Sequence, residues 1–231
     1  MKQQMKTQII KGIPVETVVF DAYGTIFDVH AAVMKSAEVL GPLARPLSEL
    51  WRAKQLEYTW IRSLSARYMS FWRLTEQSLD YALATIAPDH SSLRNTILEA
   101  YRDLDAYSDA ASALAYLRST GIKTAILSNG DAAMLERAVL SAHLGGMFDA
   151  LLSVETIGVY KTDPAAYRLV EQQMGILPKA TAFVSSNRWD IAGANVAGFH
   201  CIWLNRLARA DEYPDMAPSA VIQSLAELLT D

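Results

Sequence analysis

The run Val18-Val19-Phe20-Asp21-Ala22-Tyr23-Gly24-Thr25-Ile26-Phe27-Asp28 constrains the fold of this chain more than any other stretch. Its β-branched and aromatic start reads as a buried strand. An acid, Asp21, arrives where that strand stops, and Gly24 permits the sharp turn needed just beyond it. In open α/β sheets the reactive groups lie in the crevice beyond the carboxyl ends of the strands. Asp21 therefore has two readings: a reactive carboxylate, or a turn or N-cap aspartate after a core strand.

The rest of the chain says what surrounds this strand. Residues 29–107 read as helical throughout. Ala53, Leu56, Trp60 and Leu64 recur at helical spacing and predict one buried face. Phe71, Leu74, Leu79, Leu83 and Ile86 predict a second helix, and Leu93, Ile97, Tyr101 and Leu104 a third. Strands and helices then alternate: strands near 123–127, 150–153, 181–185 and 201–204, with helices between them and an amphipathic helix over 219–229. In the helix over 132–142, Leu135, Val139 and Leu140 are read as facing inward. Such alternation predicts an α/β fold built on a doubly wound parallel sheet. The all-helical block becomes a cap inserted after the first strand. The expected division is a polar leader over 1–14, an α/β core over 15–28 and 108–231, and a helical cap domain over 29–107.

Composition narrows the partners. The 231 residues carry a net charge of −4, with no basic footprint for nucleic acid or an anionic membrane surface. No stretch is long and apolar enough for a membrane span, and the first residues lack a signal-peptide core. The chain is expected to be cytoplasmic. A lone cysteine, Cys201, excludes an intramolecular disulfide and sits in an apolar run that predicts a buried, inert thiol.

The ends of the predicted strands supply a chemically coherent set. Asp21 follows the first, Ser128 and Asn129 the second, Lys161 the loop after the third, and Ser185, Asn187 and Asp190 the fourth. Serine and asparagine at such places are ordinarily turn formers, and a loop lysine is ordinarily solvated. Together the residues are more telling, because the fold gathers strand ends that are remote in sequence. The chain contains neither glycine-rich phosphate loop and no Gly-x-Ser-x-Gly elbow. His30, His90, His143 and His200 lack metal-ligand spacing.

Four motifs now carry a family resemblance: Asp21-Ala22-Tyr23-Gly24-Thr25, the stretch from Leu50 to Trp60, Ala125 to Gly130, and Phe183 to Asp190. Together they resemble the haloacid dehalogenase superfamily and, within it, the L-2-haloacid dehalogenases. Superfamily phosphatases have a second acid where this chain has Tyr23, and further acids late in the chain to hold Mg²⁺. Here only Asp190 remains of the latter, a poor site for a hard cation. The resemblance thus implies carbon–halogen rather than phosphate chemistry, with no cofactor and no metal.

It implies roles as well. Asp21 would be the nucleophile, forming an ester with the substrate carbon. Arg52, Phe71 and Asn129 would receive the halide, and Arg52 suits an anion because its guanidinium is always charged. Ser128 would bind the substrate carboxylate with backbone amides near Ala22 and Tyr23. Lys161 would pair with Asp21, and Thr25, Tyr167 and Ser185 would orient these groups. Asn187 and Asp190 would position the water that hydrolyses the ester. Tyr23, Leu56, Phe71 and Trp189 would form an apolar wall. The expected reaction converts short L-2-haloacids to D-2-hydroxy acids with inversion, in a homodimer formed through the cap. Three positions depart from the family: Ala53 in place of Gln, expected to widen the pocket or alter chain-length preference; Thr162 in place of Pro, expected to loosen the Lys161 loop; and Arg188 in place of a small residue, expected to add charge near the site or its rim. The competing readings are a Mg²⁺-dependent phosphatase and a non-catalytic ligand-binding protein of the same fold.

Overall fold

The computed structural model describes residues 8–229. Within them, Gln8–Ile10 (β1) and Ile13–Val15 (β2) pair antiparallel, with Ile10 opposite Ile13. The turn residues Lys11 and Gly12 both have positive φ, the geometry that matches strand twist in two-residue hairpins. The polar leader expected over 1–14 is thus corrected for its second half, since residues 8–14 belong to this hairpin, with Ile10 and Ile13 buried. Residues 1–7 of that leader lie outside the described residues.

Six strands form one parallel sheet among the described residues, in the order β5-β4-β3-β6-β7-β8. They are Thr17–Phe20 (β3), Lys123–Ser128 (β4), Ala150–Ser153 (β5), Thr181–Ser185 (β6), His200–Leu204 (β7) and Ala220–Ile222 (β8). Central β3 is wholly buried, as expected of a strand in a sheet covered on both faces. Phe20 pairs with Ile126 on one side and Val184 on the other, so the ends of β4, β3 and β6 are level. This register brings residues more than a hundred positions apart to one edge.

Between β3 and β4 the chain is helical: Ala31–Met34 (α1), Ala37–Leu40 (α2), Ala44–Leu64 (α3), Phe71–Ile86 (α4), Arg94–Arg102 (α5) and Ala110–Ser119 (α6), the last already packed beneath the sheet. Helices Ala132–Ser141 (α7), Pro164–Met174 (α8) and Arg188–Val196 (α9) alternate with the later strands. The two crossings between sheet and helical insertion run side by side. Asp28 N donates to Asp105 O at 3.0 Å, and Tyr107 N to Ile26 O at 2.9 Å. Arg206 fastens this ribbon: its guanidinium forks onto Asp109 at 2.7 and 2.9 Å and donates to the Thr25 carbonyl at 3.2 Å.

Three expectations about packing fail. Helix α3 does not bury Ala53, Leu56, Trp60 and Leu64. It buries Leu47, Ser48, Trp51, Gln55 and Thr59, while Leu64 is 87% exposed. Burying an unpaired amide would cost about 1–3 kcal/mol. Gln55 avoids that cost by accepting from Arg52 and donating to Thr75, so a polar residue takes the inner face. Leu140 on α7 points outward and is exposed, whereas Leu135 and Val139 are buried. The amphipathic helix expected over 219–229 is instead edge strand β8 followed by a 3-10 turn, Leu225–Leu229. The β-branched Val221-Ile222 pair suits an edge, and Ile222, Leu225 and Leu228 are buried while Val221 is exposed.

Candidate active site

Asp21 is the first residue past β3. Its N–H still reaches Val184 O at 2.9 Å, and then the chain turns: the Ala22 carbonyl accepts from Ile26 N at 2.9 Å and Phe27 N at 3.0 Å. Gly24 closes the turn at φ +95°, and a Cβ there would stand 3.3 Å from Ser186 Oγ. The turn holds the Asp21 carboxylate 5% exposed.

The two oxygens of that carboxylate have different surroundings. Oδ2 accepts from Thr25 Oγ1 (3.1 Å), Asn187 Nδ2 (2.8 Å) and, at the limit of hydrogen-bonding distance, Ser185 Oγ (3.5 Å). Oδ1 meets only Lys161 Nζ, at 3.2 Å. Lys161 also donates to Asp190 Oδ2 at 2.8 Å, so the ammonium bridges two carboxylates. Burial alone would push the Lys161 ammonium down, but Asp190 and Asp21 outweigh it and raise its pKa. Asp190 is fully buried, and burial pushes its carboxyl up to about 6; Lys161 opposes this and the nearby Asp21 charge reinforces it. Tyr167, from α8, donates to Asp190 Oδ1 at 2.8 Å, and burial followed by that carboxylate drives the phenol well above its ordinary value. A Cβ at position 193 would lie 2.4 Å from the Tyr167 hydroxyl, so Gly193 in α9 is what admits it.

Arg52 reaches the same edge from the helical insertion. Its Nη2 donates to the Tyr23 carbonyl at 3.1 Å and its Nη1 to Gln55 Oε1 at 2.7 Å. Asn129 Oδ1 accepts the Lys161 backbone N–H at 2.9 Å; an N–H can only donate, so the Asn129 amide turns its Nδ2 donor elsewhere. Ser128 is buried and its Oγ accepts from Gly130 N at 3.0 Å. The Tyr23 ring is buried against Phe71 (centroids 5.7 Å apart) and stacked on Tyr101 (5.6 Å), and burial raises its hydroxyl pKa well above the ordinary value.

The structure thus joins Asp21, Thr25, Lys161, Tyr167, Ser185, Asn187 and Asp190 in one hydrogen-bonded cluster, with Arg52 linked to it through Tyr23. The apolar wall is less unified. Tyr23 and Phe71 touch, and Leu56 is half-buried on α3. Trp189 instead stands edge-on to Trp60 at 5.8 Å. It lines a cavity of about 550 Å³ with Trp60, Leu64, Tyr160, Lys161 and Val196; neither Asp21 nor Arg52 contributes to its wall.

Two of the departures act differently from expectation. Ala53 is exposed, so it widens no buried wall. Arg188 brings no free charge to the site. It is buried with its Nε on Asp211 Oδ1 at 2.5 Å, and its Nη2 donates to the carbonyls of Tyr213 and Met216. Thr162 is exposed in the Lys161 loop and lines the cavity.

Sequence reasoning missed three supporting residues. Gln55 orients Arg52 and was legible only as its i+3 neighbour on one helix. Ser186 donates to the Gly24 carbonyl at 2.8 Å, and its N–H donates to Thr25 Oγ1 at 2.9 Å. Gly193 looks like any helix glycine until Tyr167 is seen against it.

Among the described residues, no group of three or more His, Cys, Asp or Glu side chains is arranged to hold a metal ion. Asp21 and Asp190 are instead neutralised by the Lys161 ammonium, at 3.2 and 2.8 Å, and no third acid stands with them among the described residues. The donor set does not fit Mg²⁺.

A strand-end carboxylate on a parallel sheet, overhung by a helical insertion bearing an arginine, defines a hydrolase of the haloacid dehalogenase-like class, and residues 15–198 match the family model of that description. Relatives sharpen this. The chain is 43% identical to (S)-2-haloacid dehalogenase 1 of Pseudomonas sp. (strain CBS-3), covering 93% of this chain and 95% of that one. It is also 43% identical to (S)-2-haloacid dehalogenase 4A of Burkholderia cepacia, over 91% of each. The L-2-haloacid dehalogenase of Xanthobacter autotrophicus, solved with chloropropionic acid covalently bound, superposes with a TM-score of 0.85 at 36% identity, covering 93% of this chain and 96% of that one. The chain belongs to the (S)-2-haloacid dehalogenase family.

Proposed function

We propose that this protein hydrolyses short L-2-haloacids to D-2-hydroxy acids through an ester on Asp21, without a metal. The observation that carries the proposal is the asymmetry of the Asp21 carboxylate. Oδ1, held only by Lys161, keeps the lone pairs needed for attack. Its attack on C2 forms the C–O bond as the C–X bond breaks, inverts the carbon, and releases halide with the bonding electrons towards Arg52, Phe71 and Asn129. Oδ2 becomes the ester carbonyl oxygen and stays among Thr25, Asn187 and Ser185. Water then adds to Cγ, and those three donors stabilise the charge that develops on Oδ2. Cγ–Oδ1 breaks, so Oδ1 leaves with the hydroxy acid and the water oxygen remains on Asp21. Asn187 and Asp190 position that water and Asp190 takes its proton; each Asp190 oxygen accepts one hydrogen bond and retains a second lone pair. Ser128 holds the substrate carboxylate.

Single turnovers in ¹⁸O-water with enzyme in excess test this. The label is expected in Asp21 and not in the first product, with halide released from L- but not D-2-chloropropionate and unaffected by EDTA. Label appearing directly in the product would exclude the ester, and activity abolished by EDTA would exclude the metal-free route.

The Asp190 pKa of about 6 adds a pH dependence. Its carboxyl must be ionised to take the proton, and protonation wins as the pH drops below that value. In the ester the Asp21 charge that helps raise Asp190 is gone, so ester hydrolysis is expected to slow by roughly tenfold per pH unit from a point below about 6. Ester formation does not use this proton transfer, so acid-quenched enzyme at low pH should carry the ester, seen as added mass on the intact protein. A steady-state rate flat across this range, with no trapped ester, would remove Asp190 from the water step.

A further inference from the structure

Asp131 occupies the N-cap position of α7 but caps a different helix. Its side chain makes no bond to its own first turn. Oδ1 accepts the Phe71 N–H at 2.8 Å and Oδ2 the Trp72 N–H at 2.8 Å, at the start of α4 and about sixty residues earlier in the chain. The Ala132 amide left behind in α7 is taken by Glu155 Oε2 at 2.9 Å. One carboxylate therefore satisfies two orphan amides of a helix that belongs to the insertion, where a negative charge also suits the helix dipole.

What this carboxylate joins gives it more than a packing role. It lies two residues beyond Asn129 and three beyond Ser128, at the end of β4. The residue it grips by the backbone is Phe71, whose ring lies 5.7 Å from that of Tyr23 and 6.2 Å from that of Tyr160. Asp131 is 8% exposed, and both its oxygens are engaged across the boundary between sheet and insertion. We propose that Asp131 is a positioning residue that holds Phe71 in register with the Ser128-Asn129 loop, so that the groups receiving the halide keep one geometry. This rests on the halide-receiving roles proposed above for Phe71, Asn129 and Arg52.

A cap that served stability alone would leave the chemistry untouched, or slow every substrate alike. A positioning role predicts dependence on the leaving group. Chloride departs less readily than bromide and so relies more on the groups that receive it.

The isosteric Asp131→Asn separates these cases, because an amide offers one acceptor oxygen to two N–H donors and turns its own NH₂ towards the other. Halide release is followed in single turnovers with enzyme in excess, on L-2-chloropropionate and L-2-bromopropionate. We expect Asp131→Asn to slow chloride release by about 10- to 100-fold and bromide release by several-fold less, with far-UV circular dichroism showing the variant folded at the assay temperature. Asp131→Ser, which keeps one small acceptor, serves if the asparagine variant does not fold, and should show the same ordering. Equal slowing of both acids, or wild-type rates for both in a folded variant, overturns the inference and leaves the proposed function standing. A wild-type enzyme that releases halide from neither acid overturns the proposed function itself.

Discussion

Replacing Asp21 with Asn is expected to lower halide release from L-2-chloropropionate on the order of 10⁴- to 10⁶-fold, the scale seen when an activated nucleophile is removed. The substitution preserves shape and leaves Thr25 and Gly24 in place, so the fold should persist. It removes the charge and the attacking lone pairs of Oδ1 and presents an amide where Lys161, Asn187 and Thr25 all offer donors. The loss should fall almost entirely on kcat, because the residues proposed to bind the substrate carboxylate and halide are untouched. Two measurements check it: steady-state halide release, and intact mass after incubation with substrate. A variant that retains more than about one per cent of the wild-type rate, well outside the range set by nucleophile removal, would mean that another group carries the attack.

Lys161→Met has the second largest expected effect, and it acts on stability as well as rate. The ammonium is completely buried between Asp21 and Asp190. Methionine fills similar space but leaves two carboxylates facing one another without a counter-charge. Breaking a buried ion pair by removing one partner costs roughly 3–5 kcal/mol. The physical outcome is uptake of a proton: with the cation gone, the carboxyl of Asp190, already at about 6 because of burial and the Asp21 charge, moves further up. The sign for stability follows. A carboxyl whose folded pKa is raised above its unfolded value loses stability as the pH rises through the window between them. Lys161→Met should therefore be most stable in mild acid and lose stability towards neutral pH, with activity low throughout. Thermal unfolding of both proteins across pH 5 to 8 checks this. A variant whose stability relative to wild type does not change over that range would show that Lys161 does not hold the two carboxylates ionised.

These two residues were both visible in the chain, for different reasons. Asp21 announces itself because a strand, an acid and a glycine turn are adjacent, and strand formation responds to local composition. Lys161 has no local signature. It emerged only because the fold gathers strand ends and because the surrounding motifs resemble a family. The alternation of strands and helices was equally legible, and it led to the parallel sheet and the helical insertion.

Packing direction was less legible. Helix α3 carries two candidate faces, and the more apolar one, with Trp60 and Leu64, is the outer one. Gln55 wins the inner position because Arg52, Thr75 and Tyr101 satisfy its amide, and none of those contacts has a sequence period beyond the single i+3 step. Arg188 misled in the opposite way. A charge next to Asn187 looked like an addition to the site, yet its partners, Asp211 and the carbonyls of Tyr213 and Met216, lie along a loop that no spacing rule connects to it.

By itself the amino-acid sequence determined which residues could react: an acid at a strand end, and a lysine, an arginine and amides available to serve it; the family resemblance added the reading of Tyr23. Hydrophobic periodicity and turn chemistry act over a few residues, so they can be read along the chain. The tertiary structure alone decided the division of labour. It assigned one oxygen of Asp21 to Lys161 and the other to three donors, gave Asp131 to a helix sixty residues away, and put the 550 Å³ cavity beside the reactive carboxylate rather than over it. Those outcomes depend on pairings between distant segments, where the free energy of satisfying one buried polar group is settled by whichever partner the fold brings within about 3 Å.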